Sequence, residues 1–266
     1  MTSNNLEWTG YGRTDRGLVR RTNQDAFLVD NRHRLWAVAD GMGGHQGGDV
    51  ASRIAIDTLA NFAPTMRPNA AGLSAHTEED AIFRLTTMME QAHMAIVSHA
   101  ERNPFLQGMG TTLVAAHLLQ LSTPRLVVVN VGDSRAYLVR DNTITQVTRD
   151  HTWIDEQIRS GHLTPHEAAC HPDRHVLTRA MGLGFTIDVD VYPCDVTSDD
   201  VLLLCSDGLT KMLTDERILE MVLPYRDHPP RATEALIGAA LEAGGIDNVT
   251  VIACTMTERV NPANRH

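Results

Sequence analysis

The sequence predicts an α+β fold in four layers, a sandwich with helices outside and two β-sheets inside (α/β/β/α). Two observations carry that reading. Apolar runs of strand length recur from end to end, and two pairs of segments with helical periodicity separate the groups of strands. With 266 residues, 42% of them hydrophobic, the chain can bury a large core. It shows no internal repeat and no linker that would divide it, so a single domain is expected.

The elements follow in order. Residues 8–14 and 26–29 read as strands, and the polar 30–33 as a hairpin turn into a third strand at 35–39. Ala51, Ala55, Leu59 and Phe62 recur at helical spacing, which predicts a helix over 49–62. Residues 64–74 read as a loop. Thr77 then reads as an N-cap followed by Glu78, Glu79 and Asp80, acids that favour the first turn of a helix. Its buried stripe is Ile82, Leu85, Met89, Ala92 and Ile96, ending near Asn103. Strands are expected at 111–118, 125–131, 136–140 and 143–147, the last two joined by the turn Asp141-Asn142. A His-rich insert with short helices at 151–161 and 164–171 comes next. Strands at 187–192 and 201–205, helices at 214–223 and 231–243, and a strand at 248–256 complete the domain, followed by a polar tail.

The chain is organised around residues 35–48, LWAVADGMGGHQGG. A buried strand delivers Asp40 to its tip, and five glycines in eight positions then allow positive φ and close approach of backbone to a ligand. A phosphate held by backbone N–H groups and a divalent cation held by Asp40 and a bare carbonyl such as that of Gly41 both suit such a turn. Asp40 favours the cation, because a carboxylate there would repel a pyrophosphate. The pattern repeats: Asp133, Asp207 and Asp247 also stand at ends of apolar runs, and Asp25 stands just before one. One such Asp is ordinarily a turn or cap residue. Five of them suggest carboxylates converging at one end of a sheet, a multinuclear site of oxygen ligands suited to magnesium or manganese.

These segments resemble the motifs of the PPM, or type 2C, metal-dependent Ser/Thr protein phosphatases in their bacterial form. The matching pieces are TDRGLVRRTNQD at 14–25, DGMGGH at 40–45, GTT at 110–112, GDSRAY at 132–137, DHT at 150–152, LTRAMG at 177–182, SDGL at 206–209 and DNVT at 247–250. They occur in the family's order and span roughly 8–256. The resemblance implies two antiparallel β-sheets flanked by pairs of antiparallel helices, with one catalytic domain over 1–257, a flap at about 151–182 beside the active site, and a tail at 258–266. It implies that Asp40 bridges two metal ions, that Asp207 and Asp247 complete the first, that the Gly41 carbonyl serves the second, and that Asp25 helps through water. Asp133 with Asp207 would hold a third, weaker ion. Arg20 occupies the family's phosphate-binding position, where a guanidinium matches phosphate with two parallel hydrogen bonds.

The implied reaction is hydrolysis of phosphoserine or phosphothreonine by direct attack of a water bridging two Mn²⁺ or Mg²⁺ ions, without a phosphoenzyme. His45, a residue that titrates near neutrality, is a candidate proton donor to the leaving alkoxide. Asn248 is a candidate to orient Asp247. The flap is expected to gate or select protein substrates. Its histidines lack the compact pairing of a zinc site: His162/His166 and His171/His175 are split by turns or Pro172.

Lys plus Arg is 23 against 33 Asp plus Glu, a net charge of −10. That balance argues against a general nucleic-acid binder and disfavours anionic membranes. Four scattered cysteines, Cys170, Cys194, Cys205 and Cys254, form no C-x-x-C pair and are expected to be reduced. The polar start does not read as a signal peptide, and no apolar run approaches the roughly 20 residues that span a bilayer. A cytoplasmic monomer is expected. Its partners would be a phosphoprotein substrate and a Ser/Thr kinase that it opposes. The wording of 35–52 is closest to stand-alone phosphatases of type VI secretion, which act on a forkhead-associated-domain protein. Two rival readings remain. One is a catalytically silent binding or sensing module on the same fold. The other is a dinucleotide-binding enzyme built on Gly41-Met42-Gly43-Gly44-His45-Gln46-Gly47, although no acidic residue stands about 20 positions further on.

Overall fold

The structure is a computed structural model that describes residues 6–42, 47–66, 77–121, 123–169 and 171–258. Its first sheet is built from β1 (Leu6–Asp15), β11 (Val249–Glu258), β10 (Val201–Cys205), β7 (Arg135–Arg140) and β8 (Thr143–Gln146), paired in that order. The second runs β2 (Asp25–Asp30), β3 (Leu35–Met42), β5 (Leu113–Leu119), β6 (Arg125–Val131) and β9 (Asp190–Asp195), with the short β4 (Gly110–Thr111) beside the end of β3. Every pairing is antiparallel. Helices α1 (Gly48–Phe62) and α2 (Glu78–Arg102) cover the second sheet, and α6 (Asp215–Val222) and α7 (Pro229–Glu242) cover the first. In chain order the insert supplies α3 (Trp153–Arg159) and α4 (Pro165–Ala169) between β8 and β9, and the one-turn α5 (Asp207–Thr210) stands between β10 and α6.

The period-two alternation of the central strands explains the four layers. Leu35, Ala37 and Ala39 pack on α1 and α2, while Trp36 and Val38 fill the space between the sheets. On the other side Val201, Leu203 and Cys205 face α6 and α7, while Leu202 and Leu204 point inward. Strands buried on both faces must be apolar throughout, which is why they read as unbroken runs. Met88 and Met89 are core filler under the second sheet. Asn31 ties the layers at one edge: its Oδ1 accepts from Trp36 Nε1 (2.9 Å) and from the Gly10 N–H (2.7 Å). Gly10 leaves room for that packing, since a Cβ there would fall 2.4 Å from Trp36 Nε1.

Several boundaries differ from the sequence reading. Asp40 is not the tip of its strand; β3 continues two residues because Gly41 and Met42 pair with Thr111 and Gly110. Strand β9 begins at Asp190 instead of 187, since its first paired residue is Asp190 opposite Asn130, one position before the end of β6. The insert's first helix starts at Trp153, because Thr152 is held extended by its bridge to Leu177 and caps the helix, accepting from the Asp155 N–H (3.2 Å). Thr77 caps α2 as expected, accepting from the Asp80 N–H (3.1 Å). Most of the expected loop at 64–74 lies outside the described residues.

Candidate active site

Both sheets end at one rim, and each brings its own carboxylates there. Asp25 and Asp40 are direct cross-strand partners on β2 and β3. The backbone of Asp40 is fixed: its N–H donates to Thr112 Oγ1 (3.0 Å), and its carbonyl accepts from the Thr112 N–H (2.9 Å) and Thr111 Oγ1 (2.9 Å). Asp25 Oδ2 accepts from the hydroxyls of Ser206 (2.8 Å) and Thr250 (2.6 Å), which reach across from the first sheet. Asp133 follows Gly132, whose φ of 108° and close approach to Thr112, with room for no Cβ, set the turn after β6. Asp207 opens α5 directly after β10, and Asp247 closes the loop before β11.

Asp40, Gly41, Asp133, Asp207 and Asp247 line one cavity of about 510 Å³, together with Arg20, Gln24, Thr112, Lys211 and Asn248. Asp25 is not among the lining residues but is the cross-strand partner of Asp40, which is. The predicted carboxylates and Arg20 are therefore assembled in one place. His45 lies outside the described residues. Gly41 admits no side chain: a Cβ would sit 2.1 Å from the Gly48 carbonyl oxygen and 2.6 Å from that of Gln24.

The electrostatics divide the cluster. Burial first, then the charges of Asp25, Asp207, Asp133 and Asp247, push the Asp40 carboxyl well above the usual carboxylate range. Burial raises Asp25 to about 6, against its two hydroxyl donors. Burial and the charges of Asp207 and Asp150 raise Asp133 to about 7. Asp247 goes the other way. Burial would raise it, but Arg20 and Lys211 hold it below its ordinary value. Arg20 Nε and Nη2 form a fork on Asp247 at 2.7 and 2.8 Å, and Lys211 Nζ stands 2.5 Å from Asp207 Oδ2 and 3.0 Å from Asp247 Oδ2.

This site fits divalent cations. Asp25 Oδ1 and Asp207 Oδ1 are buried with no hydrogen-bond partner, an arrangement that costs free energy unless a cation or water meets them. The donors are hard oxygens, as magnesium and manganese require. Among the described residues no three acidic or imidazole side chains already converge on one point. Asp207 and Asp247 are instead drawn onto Lys211 and Arg20.

Two features escaped the sequence reading. Lys211 is one; its only signal is the i, i+4 spacing from Asp207, which places both on one face of a helical turn. The other is the role of Asn248. Its side chain does not touch the Asp247 carboxylate, which takes instead the Asn248 backbone N–H (2.9 Å). The Asn248 amide clamps the loop that carries Arg20: it accepts from the Gln24 N–H (2.9 Å) and donates to the carbonyls of Arg16 (2.8 Å) and Thr22 (3.0 Å).

The insert leans over the rim. Thr152 bridges Leu177, Trp153 N–H donates to the Val176 carbonyl (2.8 Å), and His175, Val176 and Leu177 line the cavity wall. Its histidines disperse. His151 accepts on Nδ1 from the Gly132 N–H (3.0 Å), His162 Nδ1 pairs with Ser160 Oγ (2.9 Å), and His171 packs on Trp153 with ring centroids 4.8 Å apart. The dinucleotide reading fails on topology: the strand before the glycines, β3, has only antiparallel neighbours, whereas that fingerprint belongs to a parallel βαβ unit.

Comparison with known proteins agrees with this geometry. The family model described as protein phosphatase 2C matches residues 9–236. A serine/threonine phosphatase, Stp, of Listeria welshimeri is 37% identical over 243 residues, covering 90% of this chain and 92% of its own. The catalytic domain of the serine/threonine protein phosphatase PstP, solved with two manganese ions, superposes with a TM-score of 0.80 at 37% identity, over 95% of this chain and all of that one. PppA of Pseudomonas aeruginosa, described as a key regulatory component of T6SS, superposes with a TM-score of 0.78 at 28% identity, over 94% of this chain and 98% of its own. With carboxylates from both sheets at one rim and a family match over most of its length, the chain belongs to the protein phosphatase 2C family of metal-dependent serine/threonine phosphatases.

Proposed function

We propose that the chain hydrolyses phosphoserine and phosphothreonine in a phosphoprotein, using two Mn²⁺ or Mg²⁺ ions held by Asp40, Asp207, Asp247 and the Gly41 carbonyl, with Asp25 behind them. The observation that carries the reading is the gathering of five aspartates at one rim, where the described residues place two side-chain cations, Arg20 and Lys211, against them. Bound there, a pair of divalent ions supplies Lewis acidity and a water activated at neutral pH. The chain's own part is to place them and to hold the phosphoryl group. Arg20, about half exposed at the cavity edge, already presents its fork to a carboxylate, and a phosphate offers the same pair of oxygens. Gly132, Thr112 and Ser134 fix the turn that carries Asp133. A third ion at Asp133 and Asp207 would have to share Asp207 with Lys211.

His45 is the proposed donor of a proton to the leaving alkoxide. Its replacement by Ala should slow an alkyl phosphate more than p-nitrophenyl phosphate, whose phenolate leaves without a proton; equal losses would remove that role. Residues 1–257 form the proposed catalytic domain, with 151–182 as a flap that selects substrates and 258–266 as a tail. No described helix is long and apolar enough to cross a membrane, and we place the protein in the cytoplasm as a monomer. There it would oppose a Ser/Thr kinase, with a forkhead-associated-domain protein in type VI secretion control as the proposed substrate; the likeness to PppA supports that pathway. The deciding experiment is release of inorganic phosphate from a phosphothreonine peptide with Mn²⁺, with Mg²⁺ and with EDTA. Turnover with metal and none with EDTA is expected. No turnover with either ion would favour a silent binding module.

A further inference from the structure

Lys211 belongs to none of the motifs, yet its ammonium stands among the carboxylates. It follows Asp207 by one helical turn, is about one-fifth exposed, and contacts Asp207 Oδ2 and Asp247 Oδ2 at 2.5 and 3.0 Å. It lies where two cavities meet. The first holds the predicted metal ligands. The second, of about 570 Å³, runs under the flap between Ile154, Ile158 and Arg174, and Asp133, His175, Asp207 and Lys211 line both. A third divalent ion held by Asp133 and Asp207 would occupy this junction.

We propose that the Lys211 ammonium is a built-in cation in the place of that third ion, so that the protein takes up two divalent ions and not three. The inference rests on the two-ion reading above. The oxygens of Asp207 divide the work. Oδ1 is buried and has no hydrogen-bond partner, so it is open to a metal of the first cavity, whereas Oδ2 is committed to Lys211. A dication between Asp133 and Asp207 would have to displace the ammonium or sit beside it, and like charges at contact distance repel strongly where water is scarce. The lysine charge also reaches Asp133, where it opposes the other acids. The device needs no conformational change, because the tether is a helical turn already formed.

The test is metal stoichiometry. Manganese would be titrated into the metal-stripped protein by calorimetry, with bound metal counted by equilibrium dialysis. Two ions per chain are expected for the wild type and for Lys211→Arg, and three for Lys211→Met. Adding Asp133→Asn to Lys211→Met should restore two. Three ions in the wild type would overturn the proposal, and so would two in a Lys211→Met protein whose circular dichroism and unfolding remain native. If Lys211→Met does not fold, the wild-type count decides. A wild type that binds no manganese would instead overturn the two-ion reading itself, and this proposal with it.

Discussion

The two sheets contribute different kinds of carboxylate to one site. From the second sheet, Asp25 and Asp40 arrive on adjacent strands among hydroxyls and other acids, with no side-chain ion pair to either among the described residues, and both are held above the ordinary carboxylate range. From the first sheet, Asp207 and Asp247 arrive with Lys211 and Arg20 already upon them, and Asp247 is held below it. One half wants a proton or a metal; the other carries its counter-charges with it. The difference teaches where a divalent ion gains most. At the second sheet it relieves repulsion that Arg20 and Lys211 ease only from a distance, whereas at the first it must compete with those cations in direct contact.

The largest expected effects therefore fall on the uncompensated half. Asp40→Ala should abolish metal-dependent turnover, a loss well beyond the roughly 10–100-fold typical of residues that only support a ligand. Phosphate release and manganese affinity measured together check it, and near-normal activity would remove Asp40 from the site. Arg20→Ala comes next. A charge-assisted hydrogen bond contributes about 1.5–3 kcal/mol, so KM for a small aryl phosphate should rise roughly tenfold or more. Unchanged KM would leave Arg20 as a partner of Asp247 alone.

How much of this contrast was legible beforehand follows from the kind of signal each half leaves. Asp40, Asp133, Asp207 and Asp247 stand beside apolar runs, and the alternation of Leu35, Trp36, Ala37 and Val38 reports burial on two faces, so the layers and the ring of acids could be read from one sequence. The counter-charges could not. Lys211 reaches its partners through a one-turn helix too short to show a period, and Asn248 acts on Arg16, Thr22 and Gln24, more than 220 positions away. The extension of β3 past Asp40 was hidden for a similar reason: its partner β4 has only two residues.

The comparison can be sharpened by pH in the metal-free protein. Asp25 and Asp133 titrate near 3.8 when unfolded and at about 6 and about 7 in the fold. Between these values the folded state binds more protons than the unfolded chain, so stability falls as pH rises through that window. Urea unfolding of the stripped protein should show a steeper decline, or a shallower rise, from about pH 4 to pH 7 than Asp133→Asn does, a difference that separates Asp133 from His93, His151 and His175, whose lowered pKa values act the other way. Saturating manganese should flatten it, since the ions take over from the protons. A pH profile identical in the wild type and Asp133→Asn would mean that Asp133 is already neutralised by other groups.

The smallest expected effect separates holding the Arg20 loop from holding the metals. Asn248 is 5% exposed, and its amide serves one N–H and two carbonyls of that loop. Asn248→Ala leaves those groups unsatisfied, at a cost of about 1–3 kcal/mol, which for a chain of this size lowers Tm by roughly 2–4 °C per kcal/mol. The backbone N–H that supports Asp247 survives the substitution, so manganese affinity should hold while KM rises, in the manner of Arg20→Ala but by less. Should manganese affinity fall in step with KM, the Asn248 side chain would be acting on Asp247 after all, and the loop and the metal site would have to be treated as one unit.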